Sequence, residues 1–297
     1  MELGVVLPTI DIGGDPIVLR DFAQAIEALG YAHIAVPDHV LGANVASRPD
    51  WTGGNTSEDY FHDCFVLLGY LAGQTSTAVL TTHVLILPQR QTALVAKQAA
   101  TIAVLSGGRF RLGIGIGWNP VEFEALGENF HDRGARSAEQ VELMRKLWAE
   151  PHVTFEGRWH KVTDAGINPL PPGGSVPVWF GGFDDRMLRR IARLADGWVM
   201  NAYSAGEEAR EAFDRLSIYA REAGRSGPVP VDVWTSMGGT TPEAWREEIA
   251  YWKGLGAGQA TLTTAFNRRG RVRIDGTSVD AHLKAIADYK EAVRDLL

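Results

Sequence analysis

Three short stretches carry residue types that can do chemistry. Pro37-Asp38-His39 sets a carboxylate beside an imidazole, a pair able to move a proton or hold the polar edge of a ligand. The bland alternative is a loop carboxylate capping a backbone amide. Gly113-Ile114-Gly115-Ile116-Gly117-Trp118-Asn119-Pro120 and Trp179-Phe180-Gly181-Gly182-Phe183 each lead from an apolar run into a helix start. Glycines there let backbone approach a bound group, and amides at a helix N-terminus attract phosphate. Otherwise they serve tight packing. The first stretch falls short of a dinucleotide fingerprint, because Trp118 stands where the third glycine belongs. His83, within Thr81-Thr82-His83-Val84, reads first as a satisfied core residue, since it sits inside an apolar run.

Other chemistries lack their residues. There is no H-E-x-x-H and no G-x-S-x-G, and the eight histidines show no metal spacing. Cys64 is the one cysteine, which excludes a Cys-based zinc site and an intrachain disulfide. As a lone cysteine it reads as a small buried hydrophobe rather than a nucleophile.

The elements that must position these residues are legible as eight apolar runs, each followed by a helical stretch. They begin at Gly4, His33, Val79, Phe110, Pro177, Gly197, Val231 and Ala260. Near-continuous apolar runs separated by helices predict parallel strands buried on both faces, and eight such units predict a (β/α)₈ barrel. That fold collects its chemistry at the C-terminal ends of the strands, where Asp38, His39 and both glycine stretches fall. The polar stretch from Leu41 to Tyr60 is too long for an ordinary connection and lies on the catalytic side, so it predicts a lid or substrate wall. Trp51, Tyr60 and His62 are its candidate substrate contacts, on loop position alone. From Pro151 to Pro172 periodicity fails. This reads as an insertion on the flank or the non-catalytic end, with Phe155 to Val162 as a short hairpin arm.

The 297 residues, 45% of them hydrophobic, suit one domain over residues 1–297 with insertions. A net charge of −7 argues against nucleic acid or an anionic membrane as partner. The N-terminus reads as strand one rather than a signal peptide, and no apolar stretch is long enough to span a membrane, so a cytoplasmic location is expected.

Assembled, these residues resemble the luciferase-like monooxygenase superfamily, in particular its deazaflavin (coenzyme F420)-dependent oxidoreductases. The resemblance runs from Met1 to about Ala202. It is strongest over Val84 to Gly127 and again over Arg189 to Trp198, while the C-terminal third matches only in pattern. It implies a barrel, commonly a homodimer, with a flavin or deazaflavin in the mouth over a bulge in strand three that carries a non-prolyl cis peptide, here at His83–Val84. It implies that Asp38 and His39 meet the ring edge or the reacting substrate, with Gly115, Gly117 and Trp118 on the strand-four cofactor loop and Gly181 and Gly182 on the strand-five phosphate loop. Flavin-using members carry a phosphate-binding arginine on strand four where Ile116 stands, which favours F420 over FMN. An FMN reading needs another anchor, for which Arg90 and Arg186 are the candidates. The sugar-phosphate branch has an acidic residue at the place of Trp118, so a sugar phosphate is disfavoured. The expected activity is hydride transfer between the deazaflavin and a small, fairly hydrophobic organic substrate. The alternatives are an FMN-dependent monooxygenase and a barrel that binds a ligand without catalysis.

Overall fold

The computed structural model describes residues 1–267 and 269–297. Eight parallel barrel strands form: β1 (Glu2–Val6), β2 (His33–Val36), β3 (Val79–Thr82, resuming as Leu85–Ile86), β4 (Phe110–Gly115), β5 (Val178–Gly181), β6 (Gly197–Met200), β7 (Val231–Ser236) and β8 (Gln259–Thr263). Each pairs with the next, and β1 pairs with β8 through Glu2↔Gln259 to Val5↔Leu262, so the sheet closes on itself. Helices lie between the strands, as the alternating pattern predicts. The expected (β/α)₈ barrel is the fold.

Strand burial explains the run pattern. All six residues of β4 and all four of β2, β5 and β6 are buried, because barrel strands have side chains packed both inside and against the outer helices. Helix starts follow local chemistry. Asp63 accepts from the Phe65 and Val66 amides at the head of Cys64–Ala72, and Asp184 accepts from the Met187 amide at the head of Asp185–Leu194.

Three features of these elements concern the site. Strand three is not continuous: Thr81 pairs with Arg111 and Leu85 with Ile114, so four residues of β3 face three of β4. The extra residue makes a bulge at His83–Val84, and that peptide is cis, as the resemblance implies. Strand six ends at Met200, leaving Asn201 to Tyr203 in the loop. The helix after β4's short cap helix, Arg133–Ala149, starts with Arg133, whose guanidinium donates to the Gly117 and Phe130 carbonyls, so tertiary contacts carry the helix through Gly134.

The insertion forms the expected hairpin, Val153–Glu156 against Lys161–Ala165, on the barrel flank. Its turn is tied down by Glu139, which accepts from the Arg158, Trp159 and His160 amides. Among the described residues no helix is long and apolar enough to cross a membrane.

Candidate active site

The strand ends open into a cavity of about 910 Å³. His83 and Val84 form part of its floor, the loop around Trp51 part of its wall, and the ends of β4 and β5 its far rim. Each residue singled out in the sequence has a definite place relative to this cavity.

His39 lines it, with its ring edge-on to Phe61 at 5.0 Å and to Trp118 at 6.1 Å. Its Nδ1 lies 3.2 Å from both carboxylate oxygens of Glu122. A carboxylate can only accept, so Nδ1 carries a proton, and in the neutral imidazole Nε2 is the free acceptor. Glu122 thus fixes the ring through Nδ1, and Nε2 makes no hydrogen bond among the described residues. Glu122 was not singled out from the sequence. It sits on the short helix Pro120–Ala125, which Asn119 caps by accepting from Val121, and its side chain is fully buried. It also accepts from the Val40 amide at 2.9 Å and from Gln89. Burial alone raises a carboxyl pKa, but the hydrogen bonds from His39, Val40 and Gln89 outweigh it and hold Glu122 below its ordinary value. The only local signal was a glutamate near the start of a capped helix, which points to capping and not to an imidazole 83 residues away.

Asp38 also borders the cavity, but its carboxylate is spoken for. One oxygen accepts from Arg90 at 2.7 Å and the other from the Ile86 amide at 3.0 Å. It therefore ties the end of β2 to the resumed half of β3, just past the bulge. Arg90 is committed to this pair and to Asp63, so it is not available as a phosphate anchor. Arg186 lies outside the cavity on the helix Asp185–Leu194, so it does not supply one either. Among the described residues, the cations that reach the cavity are Arg133, Arg269 and Arg271. None of them has a carboxylate partner among the described residues, and burial holds all three below the ordinary arginine value, Arg271 at about 10. Arg271 donates to the Trp234, Asn201, Tyr203 and Arg269 carbonyls, pinning the loop after β8 across the ends of β6 and β7. Arg133 faces the β4 rim through its contact with Gly117. The sequence offered no way to place it there, because it enters from the following helix.

The floor is polar underneath. Trp234 donates its indole N–H to His83 Nδ1 at 3.0 Å, and His83 Nε2 lies 3.5 Å from Asp232. Asp232 also meets His33 at 3.4 Å, Arg111 at 3.2 Å and the Thr261 hydroxyl at 2.7 Å. Burial pushes the Asp232 carboxyl up, yet contact with His33 and His83 holds it well below the usual range, while burial holds both imidazoles down. His83 is thus both a satisfied interior histidine and part of the cavity floor.

The glycines have intramolecular reasons. A Cβ on Gly115 would come 2.7 Å from Val84 Cγ2, and one on Gly181 3.3 Å from Val84 Cγ1, so both make room for the bulge side chain. Gly117 and Gly182 adopt φ values of 76° and 123° that side chains disfavour. All four still line the cavity. Trp118 turns toward Trp51, at 5.8 Å, and toward His39, so it belongs with the aromatic wall rather than with the rim at Arg133. Of the loop candidates, Trp51 lines the cavity, and its buried indole N–H has no partner among the described residues. Tyr60 and His62 do not line it. Phe61 between them does line it, while the rings of Tyr60 and His62 turn away and pack edge-on at 5.0 Å beside Gly14.

Comparison with known proteins agrees with this geometry. The family model for luciferase-like monooxygenases matches residues 1–294, well past the reach of the motifs. An uncharacterized protein of Mycobacterium tuberculosis is 32% identical over 231 residues, covering 76% of this chain and 79% of its own. Among solved structures, monooxygenase RslO1 from Streptomyces bottropensis superposes with a TM-score of 0.82 at 16% identity over 100% of this chain and 99% of its own. An F420-dependent secondary alcohol dehydrogenase in complex with an F420-acetone adduct gives 0.78 at 17% identity, covering 99% of each chain. At such identities the two structures speak to the fold. The family is one of enzymes, oxidoreductases and monooxygenases, and this chain belongs to it: the luciferase-like monooxygenase family.

Proposed function

We propose that this protein is an F420-dependent oxidoreductase that interconverts an alcohol and a carbonyl, or reduces an activated double bond, on a small and largely apolar substrate. The observation that carries the reading is the His39–Glu122 pair at the cavity wall. Hydride transfer to a carbonyl carbon leaves an oxyanion that must take a proton, and the reverse reaction must release one. Nε2 of neutral His39 takes that proton in the oxidative direction, and the fixed Glu122 carboxylate steadies the resulting imidazolium. In the reductive direction the imidazolium returns the proton. Asp38 acts as a positioning residue, holding Ile86 and with it the bulge that forms the floor.

The residues fit a deazaflavin. The cavity is large enough for a tricyclic ring with substrate beside it, and ligand sites typically span ~300–1,000 Å³. Val84 and His83 would lie under the ring, and the unpartnered indole N–H of Trp51 offers a donor to what stacks against Trp118. Arg133, with the Gly117 and Gly182 backbone, would hold the phosphate in place of the absent strand-four arginine. When bound, the deazaflavin supplies or takes the hydride. The protein's own part is to bind, orient and exclude water. Ile116, at the place where flavin-using members carry their phosphate-binding arginine, supports the choice of cofactor. A homodimer in the cytoplasm accompanies the reading as a proposal.

Calorimetric titration of the purified protein with F420 and with FMN tests it. Tight binding of F420 and weak binding of FMN is the expected result. Tight binding of FMN alone would replace the proposal with a flavin monooxygenase, and binding of neither would leave a barrel without this chemistry. Arg133→Ala should weaken F420 binding about 10- to 100-fold, the worth of a charge-assisted hydrogen bond, while leaving affinity for the phosphate-free deazaflavin core unchanged. Equal losses for both ligands would remove Arg133 from the phosphate site.

A further inference from the structure

A second concavity lies outside the barrel, between the helices Asp185–Leu194 and Glu207–Glu222. Its volume is about 320 Å³, and it is lined by Arg186, Arg189, Arg190 and Arg193 with Tyr219 and Glu222. The four arginines stand at i, i+3, i+4 and i+7, so they share one face of their helix over about 10 Å. Arginines four apart repel, and a helix does not gain from such a stripe by itself. Compensation within the cleft is incomplete. Arg189 pairs with Glu222 at 3.0 Å and lies 3.8 Å over the Tyr219 ring. Among the described residues, Arg186, Arg190 and Arg193 have no carboxylate within ion-pair distance, and Arg190 donates only to the Met187 sulfur. Burial holds Arg190 below its ordinary value, Asp184 opposes that shift, and Arg193 adds to it.

The stripe has a direction. In a barrel each helix starts at the strand C-terminal end, so this helix begins at the cavity rim. Asp184, its capping residue, borders the cavity together with Gly182 and Met187, while Arg186 begins the outer cleft. A ligand whose phosphate sits at Gly182 therefore has cationic surface ahead of it wherever its remaining chain leaves the mouth along this helix.

We infer that the arginine cleft binds a flexible polyanionic tail of the cavity ligand, a chain of successive carboxylates extending beyond its phosphate. This rests on the F420 reading above. F420 carries an oligoglutamate chain beyond its phosphate, whereas FMN ends at the phosphate. The cleft recognises charge rather than sequence or shape, because the guanidiniums are exposed and adaptable apart from Arg190. It supplies affinity and plays no part in proton or hydride movement.

The experiment is a binding titration, read by calorimetry, with the phosphate-free deazaflavin core, mono-glutamyl F420 and penta-glutamyl F420. The proteins are wild type and an Arg186→Gln/Arg193→Gln double variant. Both substitutions are at exposed helix positions, so folding is preserved, and equal affinity of the two proteins for the core checks it. Wild type should bind the penta-glutamyl form about three- to tenfold more tightly than the mono-glutamyl form, since exposed ion pairs are individually weak. The double variant should lose that preference, and 0.5 M salt should abolish it in wild type. Equal affinity of wild type for both tail lengths overturns the inference, as does a preference that the double variant retains. Failure of the core and of every F420 form to bind defeats the underlying cofactor reading instead, which separates the two outcomes.

Discussion

His39→Ala should lower turnover about 10²- to 10⁴-fold, the range typical of losing a positioned general acid or base, while cofactor affinity changes little. The expectation follows from geometry. Nδ1 is committed to Glu122, Nε2 makes no hydrogen bond among the described residues, and the ring borders the cavity. Glu122→Gln separates charge from shape. Glutamine can still accept from Nδ1, but it no longer balances an imidazolium, so the loss in kcat should be smaller than for His39→Ala yet larger than any change in KM. Turnover in His39→Ala within threefold of wild type would remove the imidazole from the chemistry. The glutamate variant has a second readout in stability. The Glu122 carboxyl is held below its ordinary 4.5, so its ionised form stabilises the fold above that pH, and this contribution is lost as pH falls through the folded value. Urea midpoints of wild type should therefore fall more steeply than those of Glu122→Gln as pH drops below 4.5.

Arg90→Met should cost about 3–5 kcal/mol of stability, because it strands the Asp38 carboxylate in a dry site. The Asp38 side chain is fully buried and that of Arg90 is 14% exposed, so solvent does not stand in for the missing guanidinium. The pair matters to function as well as stability, since the same carboxylate holds the Ile86 amide next to the bulge. Denaturant unfolding of Arg90→Met, Asp38→Asn and the double variant forms a cycle. The double variant should recover most of the loss, because removing both charges leaves no stranded group. Additive losses would show that the two residues act independently and that Asp38 does not depend on Arg90.

Several functional assignments changed character once the chain was folded. Asp38 and His39 are adjacent in sequence and read as a unit, yet their side chains diverge, one to Arg90 and Ile86 and the other to Glu122. Tyr60 and His62 read as substrate contacts because their loop does, but only Phe61 between them faces the cavity, and their own rings turn away to Gly14. Gly115 and Gly181 read as room for a ligand, and in the fold the space is taken by Val84. In each case residue type was informative and side-chain direction was not, since direction depends on neighbours supplied by other strands.

The family resemblance located the bulge, and the residue pattern by itself determined the eight strands, nearly all of the helices and the end of the barrel that carries the site. Those features rest on local physics. Burial on two faces writes continuous apolar runs, and helix starts are set by residues within one turn, as at Asp63 and Asp184. Only the tertiary structure decided the partnerships, Glu122 for His39, Arg90 for Asp38 across 52 residues, and Arg133 at the β4 rim. Such pairings exist because closing the sheet brings distant strand ends into one mouth. Nothing in the local spacing of charges records which will meet, because that choice is made by closure and by the desolvation that penalises any buried charge left without a partner.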